Sequence, residues 1–174
     1  MSLESLEVNV FMIVREIQKK DNEQIAKVIR DVFIADGYPK TGTAFADTQL
    51  DFMYQAYQNP KSIYFVVEEN GKIIGGAGVN QLDNSTENIC ELQKMYFLQE
   101  ARGRGIGMEI IQKCLAKATE FGYDKCYLET LPVMLNAQKL YKKVGFEYLT
   151  EALGGTGHTS CPVWMIKELK IEIE

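Results

Sequence analysis

A Gly-rich turn over residues 102–107 carries the residue types and spacing that point most directly to chemistry. Its three glycines remove side chains where the backbone bends, so backbone N–H groups can approach a ligand. Apolar residues follow at helical spacing, so the turn lies at a helix N-terminus and favours an anion such as pyrophosphate. The residues predicted to bind it are Arg102, Gly103, Arg104, Gly105, Ile106, Gly107 and Met108.

The spacing of these residues alone allows two interpretations of the turn. Arg102 and Arg104 could bond a pyrophosphate bidentately, whereas the glycines could also serve only to turn a strand into a helix. The pattern is neither the Gly-x-Gly-x-x-Gly of dinucleotide folds nor the Gly-x-x-x-x-Gly-Lys-Ser/Thr of P-loops. Two large nucleotide-binding classes are therefore disfavoured.

The chain resembles the GNAT superfamily of N-acetyltransferases in three segments. Arg102, Gly105 and Gly107 match that family's Arg/Gln-x-x-Gly-x-Gly/Ala signature, and residues 91–97 resemble its fourth strand. Residues 137–146 are similar to its Ala-x-x-Leu-Tyr-x-x-x-Gly-Phe segment. Two motifs in the family's order are more specific than either alone, and the resemblance extends over nearly the whole chain.

The resemblance implies acetyl-CoA as the acetyl donor. It also implies that backbone groups of Met95, Tyr96 and Phe97 bond the pantetheine arm and the thioester oxygen. One departure concerns the next helix, where many members carry an Asn seven residues before the conserved Tyr and this chain has Met134. Asn136 is the nearest amide, and we include it among the predicted cofactor-binding residues.

Acetyl transfer to an amine requires a base for the ammonium proton and an acid for the departing thiolate. The resemblance implies Tyr141 as the acid, although a tyrosine on an apolar helix face is often simply a core residue. It implies Glu91 as the base, acting directly or through water, and Glu129 is the rival carboxylate. Strand alternation groups Glu91 with Met95 on one face, which leaves its burial undecided.

Two further residues are candidates for contact with the acceptor. His158 is the sole histidine and lies in a Gly-rich segment between the last two predicted strands. Its near-neutral pKa suits proton transfer, but a lone histidine in such a loop is commonly an ordinary surface residue. Tyr38 could line the acceptor pocket from an early loop, and no metal site is predicted.

Apolar spacing gives the elements that must position these residues. Residues 10–17 predict a strand, and Asp21 with Gln24 three residues later predicts a capped helix. A shorter helix follows, and then Asn70-Gly71 predicts a tight hairpin between two β-rich runs.

The second half of the chain continues this alternation. A strand over residues 88–98 leads into the Gly-rich turn and a helix ending at Gly122. A strand over residues 125–130, a helix over residues 133–144 and two closing strands follow. The order predicts an α/β (α+β) fold, a mixed sheet with helices on both faces. The resemblance implies a GNAT-like, mostly antiparallel sheet of about seven strands, splayed between strands 4 and 5.

The composition of the chain limits the classes of partner that it can bind. The chain has 174 residues and a net charge of −5, which argues against nonspecific binding to nucleic acid or anionic membrane. No apolar run is long enough to span a bilayer, and the four cysteines are expected to be reduced. We expect a cytoplasmic protein with one domain over residues 12–170, and residues 1–11 as an extension before a natural start at Met12.

The favoured function is therefore acetyl transfer from acetyl-CoA to a primary amine of a small molecule or protein, by direct attack in a ternary complex. A noncatalytic acyl-CoA sensor is the alternative, because it would need the same turn. A carboxylate near the thioester would favour catalysis over sensing. The acceptor is not specified by the sequence, which also allows a homodimer formed through an exposed closing strand.

Overall fold

The computed structural model describes residues 11–170, so the proposed extension lies outside the described residues except for its last member. Seven strands form one sheet in the order β1-β2-β3-β4-β5-β7-β6. Among the strands of the described residues, only the β4–β5 pair is parallel, which confirms the mixed, mostly antiparallel sheet. The strands are β1 (Met12–Glu16), β2 (Ile63–Glu69), β3 (Lys72–Gln81), β4 (Ile89–Phe97), β5 (Lys125–Thr130), β6 (Glu147–Leu149) and β7 (Val163–Glu168).

Four α-helices cover the two faces of this sheet. One apolar core joins α3 and α4 to the sheet, and a second joins α1 and α2 to the opposite face. The helices are α1 (Asn22–Ala35), α2 (Met53–Ala56), α3 (Ile106–Glu120) and α4 (Leu135–Lys143). The predicted element order and the helices on both faces are confirmed. No helix in the described part of the chain is long and apolar enough to cross a membrane.

The hairpin between β2 and β3 forms at the predicted pair. Asn70 and Gly71 have φ angles of 50° and 82°, the left-handed values that a tight two-residue hairpin turn requires. This turn fixes the register of the two strands that precede the functional part of the sheet.

The start of α1 differs from the predicted capping box. Asp21 is buried and forms an ion pair with Arg15 of β1, with a shortest N–O distance of 2.8 Å, instead of capping the helix with its side chain. Gln24 accepts a hydrogen bond from the backbone N–H of Ile73 instead of closing the box. The helix therefore begins at Asn22 without a side-chain cap.

Strands β4 and β5 separate after a short contact. They pair only at Ile89 with Lys125, Cys90 with Cys126, and Glu91 with Tyr127. Beyond that point β4 stays on β3 while β5 follows β7. The backbone of residues 92–97 therefore has no strand partner on one side, and the predicted splay between strands 4 and 5 is confirmed.

A β-bulge interrupts β4 inside this unpaired segment. Gln93 pairs with Gly78 and Tyr96 pairs with Gly76, so two β4 residues face the single residue Ala77 of β3. One of the two is Lys94, whose φ of 47° is left-handed. A bulge of this kind reverses the alternation of side chains beyond it.

The predicted grouping of side chains along β4 is consequently wrong. Met95 packs against the α3 and α4 core, whereas Tyr96 packs against the α1 and α2 core. Gln93 bonds to Tyr57 of that second core and to Glu91. Glu91, Gln93 and Tyr96 thus share the α1 and α2 face, and simple alternation would have assigned Tyr96 to the other side.

The helix after β5 is shorter than predicted. It begins at Leu135, and Val133 is 71% exposed instead of lying on the apolar face with Tyr141. Tyr141 remains on the buried side of α4, where its ring meets Phe146 edge-on at 6.0 Å between centroids.

Candidate active site

A cavity of about 410 Å³ opens where β4 ends, beside the start of α3 and α4. Its wall includes nine of the eleven residues predicted to bind the cofactor, together with Tyr38 and Tyr141. These nine are Met95, Tyr96, Phe97, Arg102, Gly103, Gly105, Ile106, Gly107 and Asn136. Arg104 and Met108 do not line the cavity.

A row of backbone N–H groups without a partner in the described chain lies at the start of α3, and residues 103, 105, 106 and 107 of this row line the cavity. At the start of α3, the first backbone hydrogen bond is donated by the N–H of Glu109 to the carbonyl of Gly105. Within the described residues, the N–H groups of residues 103–108 have no acceptor. No side chain caps the helix. These donors converge at the positive end of a helix dipole, which suits a phosphate anion.

The glycines of the turn have two different physical roles. Gly103 and Gly105 have φ angles of 73° and 78°, which side-chain-bearing residues rarely adopt. Gly107 has no such requirement, but a Cβ atom there would lie 3.1 Å from Cδ2 of Leu140. The first two therefore shape the turn, and the third lets α3 approach α4.

Both arginines of the turn are engaged within the protein. Arg102 donates to the backbone carbonyl of Phe97 at 3.0 Å and forms an ion pair with Asp36 at 2.7 Å. Arg104 forms an ion pair with Glu69 of β2. The guanidinium groups therefore brace the turn against neighbouring elements. The backbone donors of the turn make no such contact within the described residues and are left for an anion, whereas the predicted contact of Arg102 and Arg104 with an anion stays a prediction.

A narrow cleft continues from this cavity into the gap between β4 and β5. The two spaces share four lining residues, Met95, Tyr96, Met134 and Tyr141. The cleft is further lined by Lys94, Glu129 and Cys161. A ligand that follows the backbone of β4 from the cavity would therefore end beside Tyr141, with a carboxylate opposite it.

Tyr141 lies at the junction of the two spaces. It is 5% exposed, and burial raises its pKa above the ordinary value for a phenol. Its hydroxyl makes no hydrogen bond with any residue that the structure describes. The group is therefore protonated at neutral pH and available as a donor.

Glu91 is a buried carboxylate with an unusually high pKa. Burial raises the pKa from 4.5 to about 7 and is the largest cause. The hydrogen bond from Gln93 opposes this rise, at 2.6 Å between Nε2 and Oε1, and the charge of Glu129 adds to it. A carboxylate that titrates near neutrality is matched to general base catalysis.

Glu129 lies closer to the cleft surface than Glu91 does. Its Oε1 accepts hydrogen bonds from the Tyr127 hydroxyl at 3.0 Å and from the Thr156 hydroxyl at 2.9 Å. Burial raises its pKa, and these two hydrogen bonds partly offset that rise. Glu129 lines the cleft, whereas Glu91 does not.

His158 belongs to a charged cluster of which one member, Lys94, lines the cleft. Its Nε2 lies 2.9 Å from Asp47, whose other carboxylate oxygen lies 2.8 Å from Nζ of Lys94. Burial lowers the pKa of His158, but the bond to Asp47 and the charges of Asp47 and Glu91 leave it raised. The segment holding His158 is also tied to Gly42 by the backbone N–H of Ser160.

Several residues of the site were not anticipated. Asp47 sits in a loop without any motif, and the side chain of Lys94 is only 6% exposed because the bulge turns it toward Asp47. Charged residues in the middle of a strand are uncommon inside proteins, so Lys94 was the one available signal in the sequence.

Tyr38 lines the larger of these two spaces, not the carboxylate-lined cleft. Within residues 11–170 no group of three or more His, Cys, Asp or Glu side chains could hold a metal ion.

Comparison with known proteins agrees with this geometry. The model of the acetyltransferase (GNAT) family matches residues 26–146. The uncharacterized N-acetyltransferase YjgM of Escherichia coli is 42% identical over 158 residues, which cover 90% of this chain and 95% of that protein. The thialysine N-epsilon-acetyltransferase of Bos taurus is 30% identical over 84% of this chain and 81% of its own length.

A solved structure shares the fold. The protein yncA of Salmonella typhimurium, solved with its cofactor acetyl-CoA, superposes with a TM-score of 0.75 at 18% identity, and the match covers 94% of this chain and 96% of that one. At that identity the likeness concerns the fold alone. The family match and the long alignment to YjgM carry the assignment further: this chain belongs to the GNAT family and is an N-acetyltransferase.

Proposed function

We propose that this protein moves the acetyl group of acetyl-CoA to a primary amine of a small molecule or protein, by direct attack in a ternary complex. The observation that carries this proposal is the meeting of the two spaces at Tyr141. One space has a row of N–H donors that are unpaired within the described chain, and the other is lined by the carboxylate of Glu129. Donor and acceptor could therefore occupy opposite ends of one passage.

The described residues fit acetyl-CoA as the donor. The N–H groups of residues 103–108 can hold a pyrophosphate, and the unpaired edge of β4 offers backbone groups to a pantetheine arm. Asn136 and Tyr38 border the same cavity and can contact the outer part of the donor. The Salmonella neighbour, which shares this fold, was solved with acetyl-CoA.

Two side chains are assigned to proton transfer. Tyr141 donates a proton to the sulfur as the C–S bond breaks, because its hydroxyl is protonated and unpaired within the described chain. Glu91 accepts the proton of the attacking amine, directly or through water, because its pKa lies near 7. Glu129 and His158 flank this path and contact the acceptor.

The acetyl group needs no covalent attachment to the protein. All four cysteines are buried, and burial raises the pKa of Cys161, the one that lines the cleft, to about 12. A thiol in that state is a poor nucleophile. Direct attack by the amine is therefore favoured over an acetyl-cysteine intermediate.

An acetyl-transfer assay with a panel of amines tests the function. Coenzyme A release would be followed with a thiol reagent, using polyamines, aminoglycosides, free amino acids and Lys-containing peptides. At least one amine should be acetylated. Tight binding of acetyl-CoA with no acetylated amine in any class would instead support the sensor alternative, although the carboxylate-lined cleft favours catalysis.

The cysteines and the sheet edge support proposals about the compartment and the oligomeric state of the enzyme. The four cysteines are free and buried, as expected in a reducing compartment, so we propose a cytoplasmic enzyme with residues 12–170 as one catalytic domain.

The sheet ends at β6, a strand of three residues with Tyr148 51% exposed. This edge is the surface we propose for a homodimer.

A further inference from the structure

Three side chains form a hydrogen-bonded chain that ends on the proposed base. The Tyr57 hydroxyl donates to Oε1 of Gln93 at 2.7 Å. Nε2 of Gln93 donates to Oε1 of Glu91 at 2.6 Å. Tyr57 follows α2 and is 3% exposed, and Glu91 is 5% exposed. The chain therefore runs from the second core to the buried carboxylate.

The chemistry of the three groups fixes the direction of these bonds. An ionised carboxylate only accepts, so the amide nitrogen of Gln93 must face Glu91 and its oxygen must face Tyr57. Burial raises the pKa of Tyr57 well above 10, so its hydroxyl remains a donor at any physiological pH. While Glu91 is ionised, a flipped Gln93 amide would turn its oxygen toward the carboxylate and lose that hydrogen bond.

The β4 bulge lies immediately beyond this hydrogen-bonded chain. Glu91 and Gln93 share a face of the strand, and the left-handed residue Lys94 then shifts the register so that Met95 turns toward the other core. The chain therefore reaches the base from the side opposite to α3 and α4. Its bonds leave Oε2 of Glu91 free of hydrogen bonds within the described residues.

We propose that Gln93, held by Tyr57, is a positioning residue that orients the Glu91 carboxylate and stabilises its ionised form for catalysis. This inference rests on the proposed function only where it calls Glu91 the base. The orientation itself follows from the two hydrogen bonds.

The other ionisable groups around Glu91 shift its pKa, some upward and some downward. The carboxylate of Glu129 on β5 raises its pKa, and His158 and Lys94 lower it. Burial is the largest influence and favours the neutral acid, whereas Gln93 is the strongest of the opposing contacts. Loss of the Gln93 amide should therefore leave Glu91 protonated at neutral pH.

The test replaces Gln93→Leu and Tyr57→Phe in the full chain and follows two readouts. Carbon-13 NMR of glutamate carboxyl groups reports the Glu91 pKa without any acceptor, and the pH profile of kcat/KM reports the working base. We expect both to move upward by about one to two pH units in Gln93→Leu, since a charged hydrogen bond is lost. Tyr57→Phe should move them less, in the same direction.

The matched control is Gln112→Leu, the same replacement at an exposed position of α3. It should leave both readouts unchanged. An unchanged Glu91 pKa in Gln93→Leu, or in Tyr57→Phe if the first variant does not fold, would overturn the positioning role. A shifted carboxyl pKa with an unshifted rate profile would overturn the use of Glu91 as the base. A wild-type protein that acetylates no amine still yields the NMR result, so failure of the proposed function is recognised separately.

Discussion

At the scale of single residues, the site depends on groups whose protonation is set by burial and by neighbouring charges. Tyr141 is kept protonated, Glu91 is brought to a pKa near 7, and His158 is held by Asp47. Sequence motifs indicated the first two as chemical candidates. They could not indicate Asp47, because its role comes from a loop folding onto β4 and not from any local pattern.

Replacing Tyr141→Phe should lower kcat and leave acetyl-CoA affinity nearly unchanged. The hydroxyl lies at the junction of the two spaces, whereas the anion donors lie in the Gly-rich turn. Loss of a general acid typically costs about 100-fold or more in rate. Steady-state kinetics and calorimetry with coenzyme A measure the two effects. Tyr54→Phe, in α2 and outside both spaces, is the matched control, and an equal rate in Tyr141→Phe would remove the acid role.

The His158 pair should make stability depend on pH. The pKa of His158 is raised in the folded protein, so the pair stabilises below the unfolded value of about 6.5. That contribution is lost as pH rises through the folded pKa. His158→Gln should therefore lower the free energy of unfolding by about 1–2 kcal/mol at pH 5.5 and much less at pH 8.5.

Urea unfolding of both proteins at each pH checks this expectation. Glu91 titrates in the same range, so wild type and variant are compared with each other at each pH. The quantity compared is the difference between their free energies of unfolding. An equal difference at both values would contradict the ionic role of His158.

At the scale of elements, the sequence predicted types and order well and local irregularities poorly. The Asn70-Gly71 hairpin and the β5 strand lie where expected, because turn chemistry and apolar runs are local signals. The β4 bulge was missed because alternation assumes an unbroken register. Lys94 has a left-handed backbone and forms an ion pair with Asp47, which is distant in sequence, and a strand pattern carries no information on either feature.

The start of α3 gives a prediction for the Gly-rich turn. Gly105→Ala would force a side chain into a φ of 78° and place a methyl group in the open space before the helix. We expect a loss of about 1–2 kcal/mol in stability and at least a tenfold weaker affinity for coenzyme A.

Gly122→Ala is the matched control at the other end of α3. Gly122 has a φ of 84° and similarly open surroundings, but it faces no predicted ligand. It should show the same loss of stability in urea unfolding with an unchanged affinity for coenzyme A by calorimetry. Equal affinities in the two variants would mean that the turn does not bind the anion.

At the scale of the whole molecule, the gap between β4 and β5 separates two blocks of one sheet. Strands β1–β4 form one block and β5–β7 the other, joined by three residue pairs. The larger cavity lies at the open end of this gap, where β4, α3 and α4 meet. A donor bound there would contact elements from both blocks, so its binding should stabilise the fold as a unit.

Acetyl-CoA should therefore raise the midpoint of thermal unfolding. At a ligand concentration of 100 times the measured Kd, binding to the folded state alone adds about 2.7 kcal/mol. For a chain of this size that corresponds to roughly 5–11 °C. Scanning calorimetry measures the shift, with adenosine monophosphate as a control that lacks the pantetheine arm. A comparable shift with the control, or an undiminished shift in Gly105→Ala at the same concentration, would show that the stabilising contacts are not those of the turn and the unpaired edge of β4.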